Sequence, residues 1–158
     1  MGEDERGARR DEPRVSLADV ALGLTWELPQ TAIGAALFAA HVLRRAARAV
    51  SVERGAVFVE IDVGAVSLGR FVFHSSEDSA YVPVGRENKD HEYGHALQSR
   101  RLGPLYLPVV GLPSVLRVAY AIGYRHLHGE RWPRYYDGFP ERQADELGGV
   151  DRRLRPAP

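Results

Sequence analysis

The chain contains no cysteine among its 158 residues. Disulfides, thiolate nucleophiles and cysteine-based zinc sites are therefore excluded, and any metal site must use His, Asp or Glu side chains. Lysine is nearly absent too, since Lys89 is the only one, and arginines supply the other basic residues. The 21 basic and 21 acidic residues give a formal net charge of zero. Without a basic surplus, we expect no nucleic-acid partner.

Long uninterrupted hydrophobic runs are also missing. Residues 1–14 are charged and lack the apolar stretch of a secretory signal, so a cytoplasmic location is expected. The apolar segment 28–43 falls short of the roughly 20 residues that span a bilayer, and segment 103–124 is interrupted by three prolines and an arginine. We interpret both segments as buried core helices. The alternative is packing at a membrane surface, which the arginines following Leu43 would also suit.

The pattern along the chain predicts a single α+β domain over residues 15–150, flanked by disordered tails at 1–14 and 151–158. Helical periodicity covers residues 16–50, and Pro29 should break this stretch and push Leu28 out of the helix. The later elements are expected to be a short antiparallel sheet of strands 56–62 and 66–74, with a turn at Gly64, then helices over 90–101, 114–126 and about 140–148.

The string His91-Glu92-Tyr93-Gly94-His95 carries the clearest chemistry. Residues four apart share a helix face, so His91 and His95 can present their imidazoles to one ion. Glu92 is rotated by about 100° from His91 and would lie beside the ion, where it can take a proton from a zinc-bound water. Gly94 costs about 1 kcal/mol in a helix and would make room for a close neighbour or a substrate.

A catalytic zinc ion normally has three protein ligands and one open position. Glu141 is the candidate third ligand. Asp145 lies one helical turn later and would accept a hydrogen bond from the far nitrogen of a ligating histidine. The alternatives are that Asp145 or Glu146 binds the ion, or that Glu141 is merely an exposed acid at a helix N-terminus.

The segments HEYGHALQSRRLGPLYLPVVGLPS and ERQADELGGV carry a family resemblance. They resemble zincin metallopeptidases of the gluzincin type, in which H-E-x-x-H is completed by a glutamate in an E-x-x-x-D helix. They are also similar to small bacterial proteins with H-E-Y-G-H and a terminal A-D-x-L-G-G. The resemblance covers about residues 85–150. It implies a small zincin-like fold whose active-site helix carries H-E-x-x-H, with Zn²⁺ bound by His91, His95 and Glu141 and with Glu92 catalytic.

Further candidates surround this motif. Tyr135, Tyr136 and His126 could donate a hydrogen bond to a developing oxyanion, although each is better suited to packing or to a solvated loop. By the same resemblance, the strand at 66–73 would lie at the sheet edge and pair with an extended substrate. Gln98 and Ser99 are expected to bond backbone groups near the end of the metal helix.

Together these patterns predict a zinc-dependent hydrolase, in the first instance a metallopeptidase that cleaves a peptide or protein substrate. One alternative is a catalytically silent zincin-like scaffold that binds a partner or associates with a membrane. A purely structural metal site would not need Glu92, which argues against that alternative. Another alternative is a hydrolase of non-peptide amides, which the sequence does not distinguish from a peptidase.

Overall fold

A computed structural model describes residues 17, 21, 25–75 and 87–152. It confirms the α+β class. The helices are α1 (Leu28–Leu43), α2 (Asn88–Leu102), α3 (Leu112–His128) and α4 (Glu141–Gly148), and the strands are β1 (Ala47–Glu53), β2 (Ala56–Ile61), β3 (Val66–Leu68) and β4 (Phe71–His74). A 3-10 turn (Gly103–Leu105) and a π-helical turn (Leu107–Gly111) join α2 to α3. The expected N-terminal tail at 1–14 lies outside the described residues. So do residues 153–158 of the expected C-terminal tail.

Strand β1 corrects the expectation that the helical stretch continues to Val50. Helix α1 ends at Leu43, and the alternating segment that follows pairs antiparallel with β2. Arg54 and Gly55 both have positive φ angles, 51° and 71°, which is the backbone of a tight two-residue hairpin turn. The prediction for Leu28 is also wrong. Leu28 is the first residue of α1 and Pro29 is the second. A backbone N–H at this position has no acceptor within the helix, so proline, which lacks the N–H, breaks no helical hydrogen bond there.

The segment 66–74 is two strands rather than one. Gly69, with a φ of 62°, forms the turn of a β3–β4 hairpin. Strand β4 then pairs parallel with β2, so the sheet is mixed and has the order β1-β2-β4-β3, instead of purely antiparallel as expected. Among the described strands, β3 therefore lies at one edge of the sheet.

Helix α2 lies between the sheet and α4, although it is one of the most polar segments of the chain. Ala96 and the ring of Tyr93 pack against Phe58 and Val72 of the sheet. On the opposite side, Gly94 lies against the backbone of α4. This close approach matters for the site, because it brings α2 and α4 near enough for short side chains to meet.

A Gly94→Ala variant should therefore be destabilised by about 2 kcal/mol, since overpacking outweighs the gain in helix propensity. A Cβ at Gly94 would overlap the carbonyl of Ala144, and the α4 backbone would have to move. Gly123 in α3 has open space around such a Cβ, so Gly123→Ala is the matched control and should be neutral or slightly stabilising. Urea unfolding measures both. Equal stability of the two variants would contradict the close helix contact.

The expectation that both apolar segments form buried core helices is wrong. Within α1 only Gln30 and Gly34 are buried, and within α3 only Ala121. The sheet supplies much of the apolar core, including Phe58, Val59, Val72 and Phe73. Within the described part of the chain, one helical segment, Leu107–His128, has the length and the apolar composition that crossing a membrane would require.

Candidate metal centre

Helix α2 places His91 and His95 one turn apart on the same buried face. Their ring centroids are 4.8 Å apart and the ring planes are nearly perpendicular. Both Nε2 atoms face the same carboxylate oxygen, which belongs to Glu141. The one-turn spacing predicted from the sequence thus directs both imidazoles to a common point.

Glu141 is the first residue of α4 and is 1% exposed. Its Oε2 lies 3.1 Å from Nε2 of His91 and 3.2 Å from Nε2 of His95. Three such ligand atoms, all within 4.8 Å of one another, could hold a metal ion. Ligands about 2.0–2.1 Å from a tetrahedral ion are about 3.3 Å apart, which the two distances from Glu141 to the histidines already match.

The other ring nitrogen of each histidine is held by a different acceptor. Nδ1 of His91 donates to Asp145 at 2.7 Å, because an ionised carboxylate only accepts. Nδ1 of His95 donates to Oε1 of Gln98 at 2.7 Å. The amide group of Gln98 is oriented by its own donor bonds to Pro140 and Gln143. Each Nδ1 bond thereby directs Nε2 to the common point, where it would offer a lone pair to a metal ion that displaces its proton.

Arg152 supports this arrangement from outside. It donates to both carboxylate oxygens of Asp145, at 2.6 and 2.9 Å, and its guanidinium stacks over the ring of Tyr136. Tyr136 in turn packs edge-on against His91, with centroids 5.2 Å apart. The charge of Asp145 is therefore balanced by Arg152 as well as by His91.

Glu92 and Glu141 are held by serines from other elements. Ser67 of β3 donates to Oε2 of Glu92 at 2.9 Å. Ser114 of α3 donates to Oε1 of Glu141 at 2.7 Å, leaving Oε2 for the histidines. Two nearly buried carboxylates beside two imidazoles form a site whose negative charge a divalent cation would offset. The donor set fits such an ion.

The ionisation of the site follows from these contacts. Burial alone would lower the pKa of His91, but hydrogen bonds to Asp145 and Glu141 raise it to about 9. Burial would raise the pKa of Glu141, but its bonds to the two histidines hold it well below its usual range. For Glu92 burial prevails, and the pKa is raised despite the nearby histidines and the bond from Ser67. A raised pKa suits a carboxylate that must exchange a proton near neutral pH.

A cavity of about 490 Å³ opens beside these groups. Glu92, His95 and Glu141 lie in its wall, and much of the remaining lining is apolar. Strand β3 forms one side, and the segment from Tyr106 to Val118 contributes another. A substrate placed here would meet Glu92 and the candidate metal ligands at the same wall.

The structure separates the three candidate oxyanion donors. Tyr135 is buried and lines this cavity together with Glu141. Tyr136 lies against His91 and lines a different, more polar pocket with Asp145 and Arg152. His126 is exposed in the last turn of α3 and is not among the residues that line either pocket. Tyr135 is therefore the candidate with access to the cavity.

The other ligand candidates take different places. Asp145 faces Nδ1 of His91, on the side away from the candidate metal position. Glu146 is exposed and pairs with Arg142 on the surface of α4.

Several residues that hold the site were missed or only partly predicted from the sequence. Gln98 does bond a backbone carbonyl as expected, but it also orients His95, which its spacing of three residues on the same helix could have suggested. Ser99 bonds the side chain of Glu27 rather than backbone. Ser67 and Ser114 carry no local motif that predicts their bonds to the two glutamates.

Comparisons with family models, with curated proteins and with solved structures find no match to this chain. The functional argument therefore rests on the chemistry of the site itself.

Proposed function

We propose that the chain is a zinc-dependent hydrolase that cleaves peptide bonds, with His91, His95 and Glu141 as ligands and Glu92 as general base. One observation carries the proposal. Nε2 of both histidines and Oε2 of Glu141 converge in a buried cluster, while Glu92 stands beside it in the same cavity without joining it.

The donor set favours zinc among the common metals. Two neutral imidazoles and one carboxylate, with one position left open, form a recurring catalytic zinc site, whereas Mg²⁺ and Ca²⁺ prefer all-oxygen sets. Bound zinc would supply Lewis acidity and lower the pKa of a coordinated water to about 7.

The position of Glu92 favours an enzyme over a silent scaffold. Its carboxylate bonds Ser67 and lines the cavity, so it can accept a proton from water there and pass it to a leaving amine. Burying the carboxylate of Glu92 costs stability. A purely structural metal site would not need this carboxylate, because Glu92 is not one of the ligands.

The sheet edge favours a peptide substrate over other amides. Val66, Ser67 and Leu68 of the edge strand β3 line the cavity beside Glu92. The hydroxyl of Tyr106 already donates to the carbonyl of Ser67 in this strand. An extended peptide that displaced this bond could add to the strand through main-chain hydrogen bonds, which would bring a scissile bond past the glutamate. Small non-peptide amides would leave this edge unused.

Incubation of the purified protein with a pool of synthetic peptides tests the proposal. We expect cleavage products by mass spectrometry, their loss after treatment with 1,10-phenanthroline, and recovery on addition of Zn²⁺, because both histidines are oriented for the metal. A folded, zinc-loaded protein that leaves every peptide intact would favour the scaffold. Cleavage that persists in the chelator would contradict a metal-dependent reaction.

A further inference from the structure

Helix α1 carries apolar residues on its outward side as well as on its inward side, where Leu37 and Phe38 pack against the core. Gln30 is buried and donates to Ser99 and to the carbonyl of Gly103, while His41 is half-buried. The outward side of the helix carries no charged or hydrogen-bonding side chain. Its exposed residues are Leu28, Ala32, Ile33, Ala35, Ala36, Ala39, Val42 and Leu43, together with Pro29.

The segment from the 3-10 turn through α3 likewise exposes apolar residues, although Ala121 and Val118 pack inward with Tyr135. Ser114 and Arg117 point inward, to Glu141 and to the carbonyls of Arg134 and Tyr135. The outward residues recur every three or four positions and are mainly apolar. They include Leu105, Val109, Leu112, Val115, Leu116, Ala119 and Tyr120.

The two outward surfaces meet near the start of α1. Nε1 of Trp26 donates to the carbonyl of Arg100, and a Cβ at Gly103 would overlap its indole ring. Exposed Trp26 and Leu28 therefore lie close to the turn that carries exposed Leu105. We call the outward residues of α1 and of the segment from Leu105 to Tyr120, together with Trp26, the apolar face.

Water is a poor environment for this face. An apolar surface that extends over two helices is unfavourable in water and marks an interaction site. Helices satisfy their backbone polar groups internally, so their outward sides can enter hydrocarbon without breaking hydrogen bonds. The inward polar contacts of Arg117 keep the other side of α3 attached to the protein. This suits partial insertion of the helix into a membrane rather than crossing of the membrane.

The charges around the apolar face suit a membrane with anionic headgroups. No Asp or Glu occurs between residues 28 and 52 or between residues 93 and 129. Exposed Arg44 and Arg45 follow α1 directly. Basic residues beside an apolar helix face add electrostatic attraction to anionic lipids.

We propose that the apolar face, flanked by Arg44 and Arg45, docks the protein onto a lipid bilayer that contains anionic headgroups. The composition favours lipid over a protein partner, because alanine is depleted at protein interfaces and four alanines are exposed on α1.

This docking would also position the cavity. Leu112 and Val115 are 56% and 64% exposed and line the cavity as well, so its mouth opens at the apolar face. Given the proposed hydrolase activity, on which this one consequence rests, the substrate would be a peptide held at the membrane surface.

Vesicle flotation of the full chain tests the docking without any assay of activity. We expect the protein to float with phosphatidylcholine vesicles that contain phosphatidylglycerol, and more weakly with phosphatidylcholine alone. Leu116→Glu in α3 and Ile33→Glu in α1 should each lower the partition coefficient by about tenfold or more, because each places a charge where an apolar side chain would enter lipid. Arg44→Gln with Arg45→Gln should reduce only the preference for the anionic vesicles.

Ser51→Glu is the control, since exposed Ser51 lies opposite Phe58, on the side of the sheet that packs against α2 rather than α1. It should float like the unmodified protein. Circular dichroism establishes that each variant is folded, and if one helix variant fails to fold, the variant in the other helix still tests the docking. Absence of flotation with both vesicle types would overturn the proposal. So would equal loss in Ser51→Glu, or sedimentation showing a lipid-free dimer that Leu116→Glu dissociates, since a second copy would then cover the face.

Discussion

A Glu92→Gln variant is expected to retain its zinc while hydrolysis falls by about 10³-fold, in the range that general-base catalysis contributes. Glutamine has nearly the same shape, and its carbonyl oxygen can still accept the hydrogen bond from Ser67. It cannot take a proton from water. The three metal ligands are unchanged, so the zinc content should stay the same while the rate of hydrolysis falls. Elemental analysis and the cleavage rate of the best peptide in the pool measure the two quantities.

The control is Glu146→Gln, the same substitution at an exposed carboxylate of α4 that pairs with Arg142 on the helix surface. Metal content and rate should both stay unchanged. Undiminished turnover in Glu92→Gln would remove this residue as the base. Loss of zinc in that variant would instead place Glu92 among the ligands, and the cavity would need another proton acceptor.

The central residues of the site were predictable because they follow local periodicity. His91 and His95 share a face of α2, and Glu141 and Asp145 share a face of α4, as one-turn spacing requires. The structure brings these two pairs together, with the carboxylate of Glu141 toward Nε2 and that of Asp145 toward Nδ1 of His91. Gly94, predicted to make room for a close neighbour, is the point where the two helices touch.

The supporting serines could not be predicted in this way. Ser67 reaches Glu92 from a strand 25 residues earlier, and Ser114 reaches Glu141 from a helix 27 residues earlier. Each bond exists only because the sheet and α3 pack around α2 and α4. No spacing rule links residues whose proximity is created by tertiary packing.

The strands show where local patterns mislead. The sequence pattern places residues 47–50 at the end of a helix, yet the Arg54-Gly55 turn and the partner β2 make residues 47–53 a strand. The parallel pairing of β2 with β4 depends on how the chain crosses after Gly64, which the sequence pattern does not encode. Strand propensity depends on the neighbouring strands, so it is a weak guide to register and order.

The apolar helices show a different limit of prediction from sequence. Hydrophobicity correctly predicted a helix over most of α1 and of α3, although not the ends of α1, and it did not predict that apolar residues of both helices face outward. Composition shows how much apolar surface a helix carries, whereas only packing shows which side the protein covers. Gln30 and Arg117 help to attach these helices to the rest of the protein, together with inward apolar residues such as Phe38 and Val118.

A Glu141→Ala variant is expected to bind zinc more than about 100-fold more weakly, exceeding the effect of losing a supporting residue. The unmodified protein should carry about one zinc per chain, as three ligands and one open position imply. Alanine removes Oε2, which faces both imidazoles at 3.1 and 3.2 Å. The remaining histidines alone would hold the ion weakly. Metal titration with a competing zinc indicator measures the affinity.

Glu146→Ala is the control, because it truncates an exposed glutamate of the same helix and should leave zinc affinity unchanged. Thermal unfolding with and without zinc separates a lost ligand from a lost fold. A folded Glu141→Ala variant should show a smaller zinc-induced rise in melting temperature, because stabilisation by a ligand follows its affinity for the native state. An undiminished rise would remove Glu141 from the metal centre. Glu141 would then have only a structural role, as the acceptor of the bond from Ser114. The proposed zinc site would lack its third protein ligand.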